Sequence, residues 1–212
     1  MKRESAARRE VATPPVDAPL TRDRIVAAAE DVLRRFGPAK ATVVDVARLL
    51  GVSHAAVYRH VATKAELRDL VVRRWAEATM PPLRAIANGS GPAPQRLRRL
   101  IDALIGVKRR RAADDPELFA AYRTLSADAQ SIVAAHIEEL VGLAAMVIRS
   151  GVKEGTFRTV DPAAAGRAVL FATSRFHHPA HAAEWADPAI DAAYDDVWQL
   201  LMNGLRVAKS RS

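Results

Sequence analysis

The stretch Thr42 to His60, TVVDVARLLGVSHAAVYRH, constrains this chain more than any other part of it. Val43, Val46, Ala47 and Leu50 fall at i, i+3, i+4 and i+7, which puts them on one face of a short helix. Gly51 follows where the chain must reverse, a position suited to a residue that tolerates positive φ. Val52 is expected to be a buried linchpin, and Ser53 suits the N-cap of a second helix. In that helix Val57 and Val61 turn toward a core, leaving His54, Ala55, Ala56, Tyr58, Arg59 and His60 on the outside. Two short helices around a glycine turn, the second with a free face, form the layout of a helix-turn-helix that reads a DNA major groove. The small residues early in the second helix allow close approach to base edges. Tyrosine, arginine and histidine further along are long enough to reach phosphates.

The flanks extend the pattern. Upstream, TRDRIVAAAEDVLRRFG carries Ile25, Ala28, Ala29, Val32 and Phe36 on one helical face and ends at Gly37. Downstream, Thr63 precedes Lys64, Glu66 and Leu67, with Glu66 at the capping-box position of a further helix expected to run to about Met80 and stop at Pro81-Pro82. With Tyr58 and His60, this K-x-E-L start makes Thr21 to Trp75 resemble the DNA-binding domain of the TetR family, the tetracycline-repressor-like regulators. The resemblance implies that Thr42 contacts a phosphate, that Ser53, His54, Ala55 and Ala56 face the bases, and that Tyr58, His60 and Lys64 anchor to the backbone. Target specificity would then draw on His54, Arg59 and DNA shape, because alanines offer at most methyl contact. It also implies a C-terminal domain that binds a small-molecule effector and forms a homodimer.

Composition agrees with a DNA-binding function. Residues 1–75 hold 15 Lys/Arg against 9 Asp/Glu, whereas residues 76–212 hold 17 against 15, so the net charge of +8 gathers where phosphates would lie. The absence of cysteine excludes disulfides and thiolate zinc sites. No apolar run reads as a membrane span and the start lacks the apolar stretch of a secretory signal, so a cytoplasmic protein is expected.

Helical periodicity with Gly, Asn and Pro punctuation continues to the C-terminus, and the expected class is all-α. Residues 1–20 read as a disordered basic arm, either an inert tail or, through Lys2, Arg3, Arg8 and Arg9, a minor-groove reader. Residues 21–66 form the helix-turn-helix domain and residues 67–212 the effector-binding and dimerisation domain. Further helices are expected at about 94–112, from Asp115-Pro116, from Ser126 to about Glu154, from Asp161-Pro162 to about Arg175, and at about 188–207. Gly155-Thr156-Phe157-Arg158 is a turn, and its G-x-F-R followed by D-P also resembles C-terminal domains of TetR relatives.

Candidate effector-pocket residues are Trp75, Leu104, Phe119, Tyr122, His136, Leu140, Met146, Phe171 and His177, all at positions that also suit a helical core. The last helix carries Ile190, Tyr194, Val197, Trp198, Leu201, Met202 and Leu205. With Val169, Leu170, Ala172 and Thr173 before it, and Ala163, Ala164, Ala165 and Gly166 allowing close approach, it is expected to build a four-helix dimer interface.

The segment Arg175 to Glu184 holds three of the six histidines, His177, His178 and His181. It admits three readings: a helix end whose histidines cap carbonyls and meet the dimer partner, the mouth of the effector pocket, or a metal site of His177, His181 and Glu184. A metal-binding sensor or hydrolase with Glu184 as base is therefore the alternative function. The leading one is a ligand-responsive, DNA-binding transcriptional repressor without cofactor or catalytic residues.

Overall fold

A computed structural model describes residues 19–207, and within them the backbone forms eleven α-helices, one 3-10 turn and no strand. The basic residues Lys2, Arg3, Arg8 and Arg9 lie outside the described residues. Phe157 and Arg206 make an isolated bridge that ties the glycine turn to the end of the last helix.

The first helix, α1 (Arg22–Lys40), is capped by Thr21, whose side chain accepts from the Arg24 amide. It breaks at Gly37, where φ is 70° and Pro38 follows. Its buried face is Ile25, Ala28, Ala29, Val32 and Leu33. Phe36, expected on that face, is exposed. It lies on the line of Val32 and Leu33 but in the last turn before the break at Gly37, where the facing surface has ended.

Next come α2 (Val43–Leu50) and α3 (His54–Tyr58). Gly51 adopts φ 67°, ψ 28°, and two bonds close a Schellman motif over α2, from Gly51 N to Arg48 O and from Val52 N to Ala47 O. A side chain at Gly51 would be strained there. Val52 is half-buried against the core rather than enclosed. Ser53 caps α3 by accepting from the Ala56 amide.

Helix α4 (Lys64–Glu77) ends three residues earlier than expected, and α5 (Met80–Asn88) begins at once, with Pro81 and Pro82 in its first turn. The proline pair opens a helix because first-turn amides need no acceptor. Then follow α6 (Ala93–Asp114), α7 (Pro116–Asp128), α8 (Gln130–Lys153), α9 (Pro162–Ala172), α10 (Ser174–His177), the 3-10 turn (Pro179–Glu184) and α11 (Ile190–Leu205). Asp115 and Asp161 cap α7 and α9 as their Asp-Pro pairs suggest. Ser126 does not cap α8. It lies within α7 and donates to the Tyr122 carbonyl, and the chain re-enters helix after Ala129.

Buried apolar residues form two clusters. One joins α5, α6, α8, α9, α10 and α11 around Leu97, Ile101, Leu104, Val147, Ile148 and Met202. The other joins α1 to α4 with α7 and the start of α8, through Ile25, Val32, Val72, Trp75, Phe119 and Leu125. Helix α7 therefore packs beneath the N-terminal unit although it lies far along the chain. The ion pair of Arg34 with Asp115 (2.8 Å) ties α1 to the cap of α7.

Helix α8 is long and apolar enough to cross a membrane by length and composition, contrary to the sequence reading. Half of its most apolar stretch is buried inside the protein, mainly under α9, α6 and α5. At Gly166 of α9 an added Cβ would stand 2.9 Å from Ala145 N and 3.0 Å from Val141 O. The small residues of α9 thus permit close contact with α8 of the same chain. Helix α11 is held on α6 by Tyr194, whose hydroxyl donates to Asp102 (2.8 Å), and by Arg98, stacked 4.4 Å over the Tyr194 ring and 2.7 Å from Asp195.

Candidate nucleic-acid interface and effector interior

Helix α3 divides into two faces. Val57, with Val61 just beyond, is enclosed in the core, while Ser53, His54, Ala55, Tyr58 and Arg59 are exposed and His60 is half-buried. Ala56 departs from expectation: at 9% exposure it sits on the inner half, one residue from Val57 and so only about 100° away. Its amide is also the donor that Ser53 accepts.

Among the described residues, no hydrogen bond or ion pair engages the side chains of His54, Tyr58, Arg59 or Lys64. Tyr58 is 48% exposed with its ring in solvent. Thr42 is different. Its hydroxyl accepts from the Asp45 amide (3.2 Å) and donates to the Asp45 carboxylate, while its own amide donates to Asp45 (3.2 Å). This reciprocal capping box holds the Asp45 carboxyl below the usual range, chiefly through the hydroxyl. Thr42 would have to open that box to give its proton to a phosphate.

The far end of α3 is fixed from α1. Arg22 donates to the His60 carbonyl (2.8 Å) and pairs with Glu66 (3.1 Å), and Glu66 accepts from the Ala62 amide (2.7 Å). Thr63 caps α4, which sets Lys64 at the first position of α4, exposed and near the end of α3.

The expected effector residues separate into two sets. Trp75, Leu104, Phe119, Tyr122, Leu140 and His177 are buried, and the Nε2 atom of His136 is buried without a partner. Trp75 stacks on Tyr122 at 3.6 Å and meets Phe119 at 6.0 Å. Leu104 and Leu140 belong to the other cluster. Met146 (39% exposed) and Phe171 (53% exposed) do not line the interior. Helix α9 buries Gly166, Val169 and Leu170, so Phe171 stands on the opposite side, and Met146 falls outside the buried stripe of α8.

Lys108, Arg111 and Trp185 join this interior and were not anticipated. The Lys108 ammonium lies 4.5 Å over the Trp75 ring, Arg111 donates to the Trp75 carbonyl (2.7 Å), and Trp185 is 6.0 Å from Phe119. Lys108 opens the run Lys108-Arg109-Arg110-Arg111, which resembles a solvated charged face. Its spacing was the available signal, since it lies four residues after Leu104 and seven after Ile101.

The histidine segment does not assemble a metal site. His177 is buried, with Nε2 3.3 Å from the Leu170 carbonyl and 3.4 Å from the Thr173 hydroxyl. A carbonyl only accepts, so Nε2 carries the proton. His178 accepts from the Ala180 amide, and His181 pairs with Glu184 (2.8 Å), which also takes Arg175 (2.7 Å). The turn at His178-Pro179 sends His177 inward, away from His181 and Glu184. Among the described residues no cluster of three or more His, Cys, Asp or Glu is placed to hold a metal ion. The arrangement matches a helix end whose histidines satisfy backbone groups.

Burial, then the positive charge of Lys108, pulls His177 and His136 down to about 3. Both stay neutral when folded at pH values where an unfolded histidine near 6.5 takes a proton. The unfolded chain therefore binds more protons, and stability falls as pH drops from 6.5 toward 3, by about 1.4 kcal/mol per pH unit for each histidine. Thermal unfolding should show a lower Tm at pH 5 than at pH 7, and His177→Gln should flatten that slope. Parallel slopes for the two proteins would remove His177 from the account.

A helix-turn-helix with an uncommitted outer face, set on an all-helical body, defines a DNA-binding transcription regulator. The family model described as bacterial regulatory proteins, tetR family, matches residues 25–71, and that described as tetracyclin repressor-like, C-terminal domain, matches residues 93–198. The chain belongs to the TetR family and is a ligand-responsive transcription regulator that binds operator DNA as a dimer. No curated protein matches its sequence.

Several solved structures share the fold. A TetR transcription regulator from Haloarcula marismortui superposes with a TM-score of 0.69 at 20% identity, covering 88% of this chain and 98% of that one. SmeT, the repressor of the Stenotrophomonas maltophilia multidrug efflux pump SmeDEF, gives 0.66 at 18%, covering 91% and 92%. The fatty acid degradation regulator FadR from Bacillus halodurans gives 0.65 at 18%, covering 88% and 97%.

Proposed function

We propose that His54, Ala55, Tyr58 and Arg59 form the DNA-reading surface, with Ser53, His60 and Lys64 beside them, and that the protein is a cytoplasmic repressor acting by binding alone. The observation that carries this assignment is the exposed, unpartnered face of α3 opposite Val57 and Val61. His54 and Arg59 read base edges, Tyr58 and Lys64 hold phosphates, and Ala55 lets the helix come close. Thr42 and Ala56 act by positioning α2 and α3. The reader spans residues 21–66 and residues 67–212 carry effector binding and dimerisation, a division of tasks rather than of the apolar core. An effector in the interior around Trp75 and Tyr122 would bear on α4, which carries Lys64 at its opposite end, and so shift the two readers of a dimer.

The test is a mobility-shift titration with duplex from the protein's own promoter region. Ala55→Glu should weaken binding by about a hundredfold or more, because a carboxylate would enter the groove unpaired, and the Tm should not change. Arg59→Ala should cost about tenfold or more. Failure of the wild-type protein to bind at sub-micromolar concentration in moderate salt would sink the reading.

A further inference from the structure

We propose that the effector carries a carboxylate, and that Lys108 is its counter-charge inside the C-terminal domain. This deepens the reading of that interior as the effector site and rests on it. Lys108 is 4% exposed, yet among the described residues its ammonium has neither a hydrogen bond nor an ion pair. An isolated buried charge is costly, and such groups are normally paired. The aromatic faces of Trp75 (4.5 Å) and Tyr122 (5.9 Å) offset part of that cost and leave the ammonium without an anion.

Every charged group acting on Lys108 is basic, and the Tyr122 phenol beside it is held neutral, its ionisation pushed up by burial. Arg111 lies 4.8 Å over the same Trp75 ring, and Lys108 depresses His136, His177 and His178. No carboxylate acts on it. The interior at Lys108 is therefore electropositive without a carboxylate of its own, the Glu30 carboxyl acting instead on Arg74 and Arg111, and the Nε2 atom of His136 is a second buried group without a bond. Burial draws Lys108 down to about 7, so an entering carboxylate would restore its full charge. Tyr122 also lines an open cleft with Arg123, Ser126, Val133 and His178, between α7, α8 and the turn after α10. An acid with an apolar tail fits this chemistry, its head at Lys108 and its tail among Trp75, Phe119 and Tyr122.

The experiment titrates full-length, untagged protein with two matched sets of probes, octanoate, 1-octanol and octylamine, and 3-phenylpropionate with its alcohol and amine. Trp fluorescence and calorimetry report binding. At least one acid should bind at or below about 1 mM and at least about tenfold tighter than its alcohol and amine. Binding near pH 8 should take up about one proton, read from heats in buffers of different ionisation enthalpy. Lys108→Met should abolish the preference for the acid while keeping DNA binding. The inference is overturned if the alcohol or amine binds as well as the acid, if Lys108→Met keeps the preference, or if no acid binds. The wild-type comparison stands even if the variant fails to fold. Duplex binding by the same preparation separates the two claims, since a protein that binds operator but no acid loses this inference and remains a regulator.

Discussion

Valine in place of Gly166 should lower stability by about 3 kcal/mol, the upper part of the range for forcing atoms into a packed interface. In a chain of this length that is a fall in Tm of roughly 6–12 °C. A Cβ at Gly166 would already press on two backbone atoms, Ala145 N and Val141 O, which cannot swing aside as a side chain can. Valine adds two methyl groups, so α9 has to lift from α8, breaking the contact that sets Val169 and Leu170 into the core. Ala163→Val, exposed in the first turn of the same helix, is the control and should change the Tm by no more than a degree or two. Thermal unfolding of both proteins decides it. Equal melting points would mean that α9 does not rest closely on α8.

The second large effect concerns the outer side of α9 and α11. Leu200 is 74% exposed, and it borders a shallow groove with Ala164, Ala168, Leu201 and Gly204, beside exposed Phe171. Two copies meeting on this face would cover it with the self-complementary contact a twofold dimer requires. Leu200→Arg places an unpaired cation at that contact on both sides, a change that interfaces tolerate poorly. Sedimentation at about 10 μM should then show monomers, and operator affinity should fall by about a hundredfold or more, since single readers lose the second half-site. A variant that remains dimeric and binds as before would move the interface elsewhere.

The helix-turn-helix was open to reading from sequence because its signals are local. Gly51, Ser53 and the apolar positions Val43, Val46, Ala47 and Val57 act within one short stretch, and the structure turns, caps or buries each as its type suggests. What stayed hidden depends on contacts between distant parts of the chain. Val169 and Leu170 were expected to pair with the last helix within a four-helix dimer interface, and they are buried in the core of their own chain, where α9 packs chiefly on α8. Apolar character says that a side chain is covered, without saying by which helix. Ala56 was misplaced by a fraction of a helical turn at the edge of an apolar stripe, and Phe36 lies on its stripe beyond the point where a neighbour covers it. The three histidines of residues 177–181 looked like one cluster because sequence proximity cannot show that the chain turns between them at Pro179.

The cover that α7 gives the N-terminal helices has a practical consequence. Leu118, Phe119 and Leu125 belong to the apolar cluster of α1, and a cut near position 66 would strip that cover from α1. The reading head is therefore no detachable cartridge. A chimera that swaps recognition specificity into this protein must carry α7 with the transplanted part, or restrict the exchange to the outward residues of α3.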